Sequence, residues 1–123
     1  MSQEVRSPES ARGKLVIALA ANVMGRGDEM LGKILIGSFL HTMAEGGRRP
    51  DTIVLYNTAV QLLLKGSPVA DDLKRLEAAG TEILACGTCI KHFQYADQII
   101  VGRVSNMYEI SDRLREAGSV VRI

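Results

Sequence analysis

At 123 residues, with 15 basic and 14 acidic side chains and a formal net charge of +1, the chain is of single-domain size and carries no basic excess. A chain this long buries roughly two-thirds of the surface its unfolded form exposes, enough for one core. The charge balance and an aromatic content of only 4% argue against a nucleic-acid surface, which needs phosphate contacts or base stacking, and leave the 46% of hydrophobic residues to form a mostly aliphatic core.

Residues 1–13 are polar and predict a loose N-terminal segment, followed by a single α/β domain over 14–123. They contain no apolar stretch of the kind a signal peptide requires. The first apolar run, Leu15 to Ala21, falls far short of the roughly 20 residues that span a membrane. A cytoplasmic protein with no membrane partner is therefore expected. Lys14 to Ala21 reads as a central strand covered on both faces. Asn22-Val-Met-Gly-Arg-Gly follows as a loop, and Asp28 caps a helix whose apolar positions Leu31, Ile34, Leu35, Phe39 and Leu40 recur at helical spacing until Gly46-Gly47.

Asp51 to Tyr56 is the second strand, with Asn57-Thr58 opening a helix that runs to Leu64. After the break at Gly66, Ser67 is placed to cap a helix with Pro68 at its first position, continuing through Val69 to Ala79 until Gly80 stops it. Thr81 to Ala85 is the third strand. A short helix near 89–95, a fourth strand at Gln98 to Val101, a helix from about Asn106 to Ala117 and a last strand at Val120 to Ile123 complete the chain. Strictly alternating strands and helices predict a three-layer α/β/α fold with a mainly parallel sheet of about five strands and right-handed crossovers.

Cys86 and Cys89 are the only cysteines, and they stand where the third strand gives way to a helix. In an open parallel sheet, reactive groups gather outside the carboxyl ends of the strands, so a thiol there is expected to be displayed and eased toward its thiolate. In a reducing compartment such a pair is catalytic, redox-active or metal-binding rather than a permanent disulfide. One pair supplies only two of zinc's four ligands, so no metal site is expected. The spacing also fits a thioredoxin-type pair, although those follow the first strand and this one follows the third. Two buried packing residues are the plain structural alternative.

The same edge should receive Asn22, Gly25, Arg26 and Gly27 after the first strand, Asn57 after the second, Gly87 and Thr88 between the cysteines, and Asn106 after the fourth; these are weaker binding candidates. Helix capping is the simpler role for Asn57 and Asn106. Arg26 either offsets thiolate charge or is a solvated loop residue. His92, three residues beyond Cys89, and His41 read as solvated and boundary residues respectively. The glycine loop reads as a turn plus cap rather than as a phosphate cradle. Its P-loop spacing puts Ile34 where a metal-binding hydroxyl belongs, its dinucleotide spacing puts Met30 at the third glycine, and Asp28 and Glu29 would repel a phosphate. No cofactor is expected.

Met24-Gly-Arg-Gly-Asp-Glu-Met-Leu-Gly, Gly66-Ser-Pro-Val, Glu82-Ile-Leu-Ala-Cys-Gly-Thr-Cys-Ile and Val101-Gly-Arg-Val-Ser-Asn-Met-Tyr-Glu-Ile, in this order, resemble the DsrE-like domain of YedF-type proteins, within the DsrE/DsrF-like family. The resemblance runs from about Lys14 to the end. It implies a DsrE-like fold, a place in sulfur relay with a sulfurtransferase-like branch tied to selenium metabolism, and a homo-oligomer, often trimer-based in the wider family. It places the sulfur-accepting cysteine at Cys86, with Cys89 as the second cysteine of the pattern; it gives His92 no role. YedF-type proteins pair this domain with a TusA-like domain. The 123 residues leave no room for one, so a TusA-like partner is expected in trans.

The expected function is thus that of a persulfide carrier or sulfurtransferase-like protein, exchanging sulfur with donor and acceptor proteins, with Cys86 as nucleophile and Cys89 as resolving thiol. The alternatives are a non-catalytic oligomeric binding module using the sheet-edge crevice, and a thiol-disulfide oxidoreductase.

Overall fold

The computed structural model describes residues 13–123. The segment expected to be loose, residues 1–13, lies outside them except for Gly13, whose carbonyl accepts a hydrogen bond from Arg48 at 2.9 Å. Strands β1 (Leu15–Leu19), β2 (Thr52–Leu55), β3 (Glu82–Cys86), β4 (Arg103–Ser105) and β5 (Ser119–Arg122) form one parallel sheet in the order β4-β3-β2-β1-β5. The helices are α1 (Glu29–Glu45), α2 (Ala70–Ala78), α3 (Gly87–Phe93) and α4 (Met107–Glu116), with 3-10 turns at Asn57–Leu63 and Ala96–Gln98. The architecture is the three-layer α/β/α expected from the alternation of elements.

The order of the strands decides which helix covers which face. β1 to β4 are laid down side by side in one direction, so their right-handed crossovers share a face. There Ile36 and Leu40 of α1, Val60 and Leu63 of the first 3-10 turn, Leu73 and Leu76 of α2 and Ile90 of α3 bury against Ile17, Leu19, Ile53, Leu55, Ile83 and Ala85. The return from β4 to β5 runs the other way and puts α4 alone on the second face. Ile110 of α4, fully buried, meets Val16, Ala18, Val54, Leu84 and Cys86 there. Burying that one side chain contributes roughly 2–3 kcal/mol, and the partly buried Leu114 of α4 packs beside it.

Two predicted caps form as expected. Asp28 accepts from the Leu31 amide at 2.9 Å, and Asn106 accepts from the Glu109 amide at 2.9 Å. Three elements differ. The segment after β2 is a 3-10 turn rather than an α-helix. Ser67 takes the Val69 amide at 3.3 Å in a turn, and α2 starts at Ala70 with Val69 at its cap, so Pro68 is not its first residue. The fourth strand is Arg103–Ser105, not Gln98 to Val101. Backbone groups at 98–100 are taken by the chain at 63–65, through Lys65 N to Gln98 O at 2.8 Å and Ile100 N to Leu63 O at 2.9 Å. Ile99 and Val101 of this apolar run therefore pack on the core instead of extending a ladder, and Ile100 between them is exposed. Gly102, at φ 78° and so close to Ile83 that a Cβ would lie 2.8 Å from its Cγ2, then swings the chain into line with β3.

An ion-pair cluster ties α4 to the sheet beside Ile110. Arg103 reaches both carboxylate oxygens of Glu109 at 2.8 and 2.7 Å, and Arg113 grips Glu82 at 2.7 and 3.1 Å. The Ser105 hydroxyl also donates to Glu109. Arg103, and then Ser105, pull the Glu109 carboxyl from the ordinary 4.5 down to about 2, while Arg113 foremost lowers that of Glu82. Carboxyls lowered in this way bind fewer protons folded than unfolded. Their contribution to stability is therefore complete above the ordinary 4.5 and is lost as pH falls toward about 2. The thermal midpoint should fall between about pH 5 and about pH 3, and by less in Glu109→Gln; calorimetry over that range checks this, and a flat profile would refute the role of the cluster.

Candidate functional site

The site begins where β3 runs out of ladder. Its last residue, Cys86, still pairs with Ser105 of β4, and Gly87 follows as the first residue of α3. A Cβ on Gly87 would stand 2.6 Å from the Ser105 carbonyl oxygen, so only glycine lets α3 start this close to β4. That contact gives Gly87 a packing role. Because α3 starts at once, Cys89 comes one helical turn after Cys86, and both thiols stay at the end of β3.

The two thiols have different surroundings. Cys86 lies on the α4 face among Val16, Ala18, Val54, Leu84 and Ile110 and is only 2% exposed. The expectation of a displayed sulfur at this position is overturned, because β3 is flanked by strands on both sides and α4 roofs its end. Cys89 is half-buried and touches both apolar cores, so it sits at the rim between the two faces. Its sulfur accepts the backbone N–H of Asn57 at 3.1 Å. Burial is the main influence on this thiol and pushes its pKa up; the Asn57 amide pulls it down, and the neighbouring Cys86 thiol raises it again. The thiol that solvent reaches is therefore Cys89, and it is held mostly protonated at neutral pH.

The amide on Cys89 comes from the end of β2. Tyr56 continues the extended strand and donates its amide to Leu19 O at 3.1 Å, and Asn57 then turns with φ 54° into the 3-10 segment. Asn57 is not a cap: the cap position falls on Tyr56, without a side-chain bond. Asn22 braces the same corner, with its amide on Thr58 Oγ1 at 3.2 Å and its side chain on Gln61 Oε1 at 2.7 Å. Asn22 also lines a cavity of about 250 Å³ with Lys33, Ile36, Gln61 and Val69, which contains neither cysteine.

The other candidates stay apart. Gly25, Arg26 and Gly27 are exposed on the loop after β1, and the two glycines turn it at φ 87° and 122°, with no atom within 4 Å of where a Cβ would stand. Thr88 is exposed, and the Asn106 side chain is spent on its cap. His41 is not idle: its ring meets Asp72 of α2 at 3.1 Å and Glu45 at 3.2 Å, linking two helices far from the thiols. His92 stacks edge-on against Phe93, with ring centres 5.0 Å apart. Among the described residues no group of three or more His, Cys, Asp or Glu side chains is placed to hold a metal. What sequence reasoning missed was the Asn57 backbone; its only signal was an asparagine directly after a strand, which reads equally as a cap.

A five-stranded parallel sheet packed between helices defines the class of fold, and the DsrE/DsrF-like family matches residues 2–123, so the chain belongs to that family. No curated protein sequence is similar enough to this chain to count as a match. Among solved structures it is similar to MTH1491 of Methanobacterium thermoautotrophicum, a protein of unknown function, at 21% identity and a TM-score of 0.64 over 90% of this chain and 99% of that one. It is also similar to the ychN protein of E. coli, at 16% identity and a TM-score of 0.64 over 90% and 99% of the two chains. BT1422 of Bacteroides thetaiotaomicron, a conserved protein of unknown function, matches at 20% identity and a TM-score of 0.63 over 95% and 100%. These likenesses establish the fold. Among the described residues no helix is long and apolar enough to cross a membrane.

The contrast between the thiols has a direct measure. With iodoacetamide and residue-resolved mass spectrometry, Cys89 should be alkylated with a pH midpoint above that of the same residue in the unfolded chain, and Cys86 should react far more slowly at every pH. Faster labelling of Cys86, or a depressed midpoint at Cys89, would contradict the geometry.

Proposed function

We propose that this protein is a sulfur-relay component in which Cys89 takes up sulfane sulfur and Cys86 is the resolving thiol. The observation that carries the reading is the Cys89 sulfur at the rim of the site, reachable by a partner and holding the Asn57 N–H at 3.1 Å, with a second thiol as its neighbour. Membership of the DsrE/DsrF-like family supports it. The roles are the reverse of those the resemblance suggested, since a sulfur buried as deeply as Cys86 cannot make the first attack without a rearrangement.

The chemistry needs only thiols. The Cys89 thiolate attacks the outer sulfur of a donor persulfide, the donor's S–S bond breaks, and the donor leaves as a thiolate. An acceptor thiolate attacking the outer sulfur on Cys89 passes the cargo on and restores the Cys89 thiolate. In the absence of an acceptor, the Cys86 thiolate attacks the inner sulfur, hydrosulfide leaves, and a Cys86–Cys89 disulfide forms that an external dithiol must reduce. Such a cycle suits the reducing cytoplasm. Donor and acceptor are protein thiols in this reading, a TusA-like protein among them.

Incubation with a small persulfide donor should add one sulfur atom to the mass of the chain, mapped to Cys89, abolished in Cys89→Ser and retained or prolonged in Cys86→Ser. An adduct on Cys86 alone would reverse the roles, and none on either residue would leave only the binding-module reading. Self-association belongs to the same proposal. Met30, Leu31, Ile34 and Leu35 expose 78, 51, 64 and 41% of their surface as one stripe on α1, more apolar surface than scattered residues explain. Light scattering should find an assembly that Ile34→Glu breaks into smaller species; a monomer at tens of micromolar would remove this part.

A further inference from the structure

We infer that Asn57 is a positioning residue for the reacting sulfur, its left-handed backbone aiming its own amide at Cys89 Sγ so that the N–H meets the negative charge when the thiolate forms. The inference rests on Cys89 being the thiol that reacts.

Three observations lead to it. First, Asn57 and Gln94 are the only non-glycine residues at positive φ among the described ones, and they are not alike. Gln94, at φ 62°, closes the C-terminal end of α3, an ordinary place for a left-handed residue. Asn57, at φ 54°, breaks directly out of an extended strand, which no helix end requires. Second, the corner is pinned on both sides. Tyr56 is tied to β1 by its amide at 3.1 Å, Ala59 N bonds back to Tyr56 O at 3.3 Å, and Asn22 holds Thr58 and Gln61 at 3.2 and 2.7 Å. The amide of Asn57 is therefore fixed in direction and donates to Cys89 at 3.1 Å. Third, the Asn57 side chain is exposed and makes no hydrogen bond to a described residue, so the side chain matters through the backbone it permits. Asparagine accepts the left-handed region; a β-branched residue strongly resists it.

The need for such a donor follows from where the sulfur sits. Cys89 touches both apolar cores, and the neighbouring Cys86 sulfur offers no positive charge. Of the influences on the Cys89 thiol, the Asn57 amide alone favours the anion. The same N–H serves a thiolate before attack and a persulfide after it, since both put negative charge at that rim.

The experiment compares Asn57→Gly with Asn57→Val. Glycine keeps both the left-handed turn and the N–H, so its pH profile of Cys89 alkylation should overlay that of the natural protein. Valine resists the turn and moves the amide away, so its midpoint should rise by about one unit, a roughly tenfold slower reaction at neutral pH. A natural profile in the valine variant, or an equal shift in both variants, overturns the inference. Should the valine variant not fold, the natural protein answers through NMR. The Asn57 amide proton should follow the Cys89 titration with the same midpoint and lose that response in Cys89→Ala; an amide that stays flat overturns the inference. Neither readout involves sulfur transfer, so a protein that passes yet accepts no sulfur from a persulfide donor refutes the relay reading alone.

Discussion

The close approach of Gly87 to the Ser105 carbonyl governs everything at the functional end of this fold. With no Cβ at position 87, α3 starts in the residue after β3 ends, and the two cysteines stay neighbours while differing in exposure. Cys86 keeps the orientation of a strand residue and points into the α4 face. Cys89, one turn on, comes out at the rim between the two cores. A longer connection between β3 and α3 would separate the thiols and take Cys89 out of reach of the Asn57 amide.

Two opposing effects meet on the Cys89 sulfur. Burial keeps it protonated, and one donated N–H draws it toward the anion, with burial the stronger of the two. A thiol so balanced is a slow nucleophile at rest. The second thiol, Cys86, is only 2% exposed. Cys86 is covered by a helix whose buried grip is one isoleucine and whose other ties are half-exposed ion pairs among Glu82, Arg103, Glu109 and Arg113.

Elements whose residues act locally were legible in the sequence. The aliphatic runs of β1 to β3, the Asp28 and Asn106 caps and the alternation that yields a parallel sheet all depend on neighbours a few residues away. The errors fall where distant backbone competes. Ile99 to Val101 has the composition of a strand, yet its hydrogen-bonding groups are taken by residues 63–65, and the true β4 is the less apolar Arg103–Ser105. Asn57 after a strand reads as a cap until its amide is seen on a sulfur 32 residues away.

By itself the sequence determined the layer architecture, the position of a cysteine pair at the end of the third strand, and the family to which the chain belongs. Periodicity, caps and motif spacing are written in consecutive residues. The tertiary structure decided which sulfur is reachable, because exposure depends on which face the return helix from β4 to β5 covers. That face follows from strand order, which no local pattern encodes. It also decided what the reachable sulfur touches, since the amide that meets it comes from a different strand and owes its direction to a backbone turn rather than to any side chain.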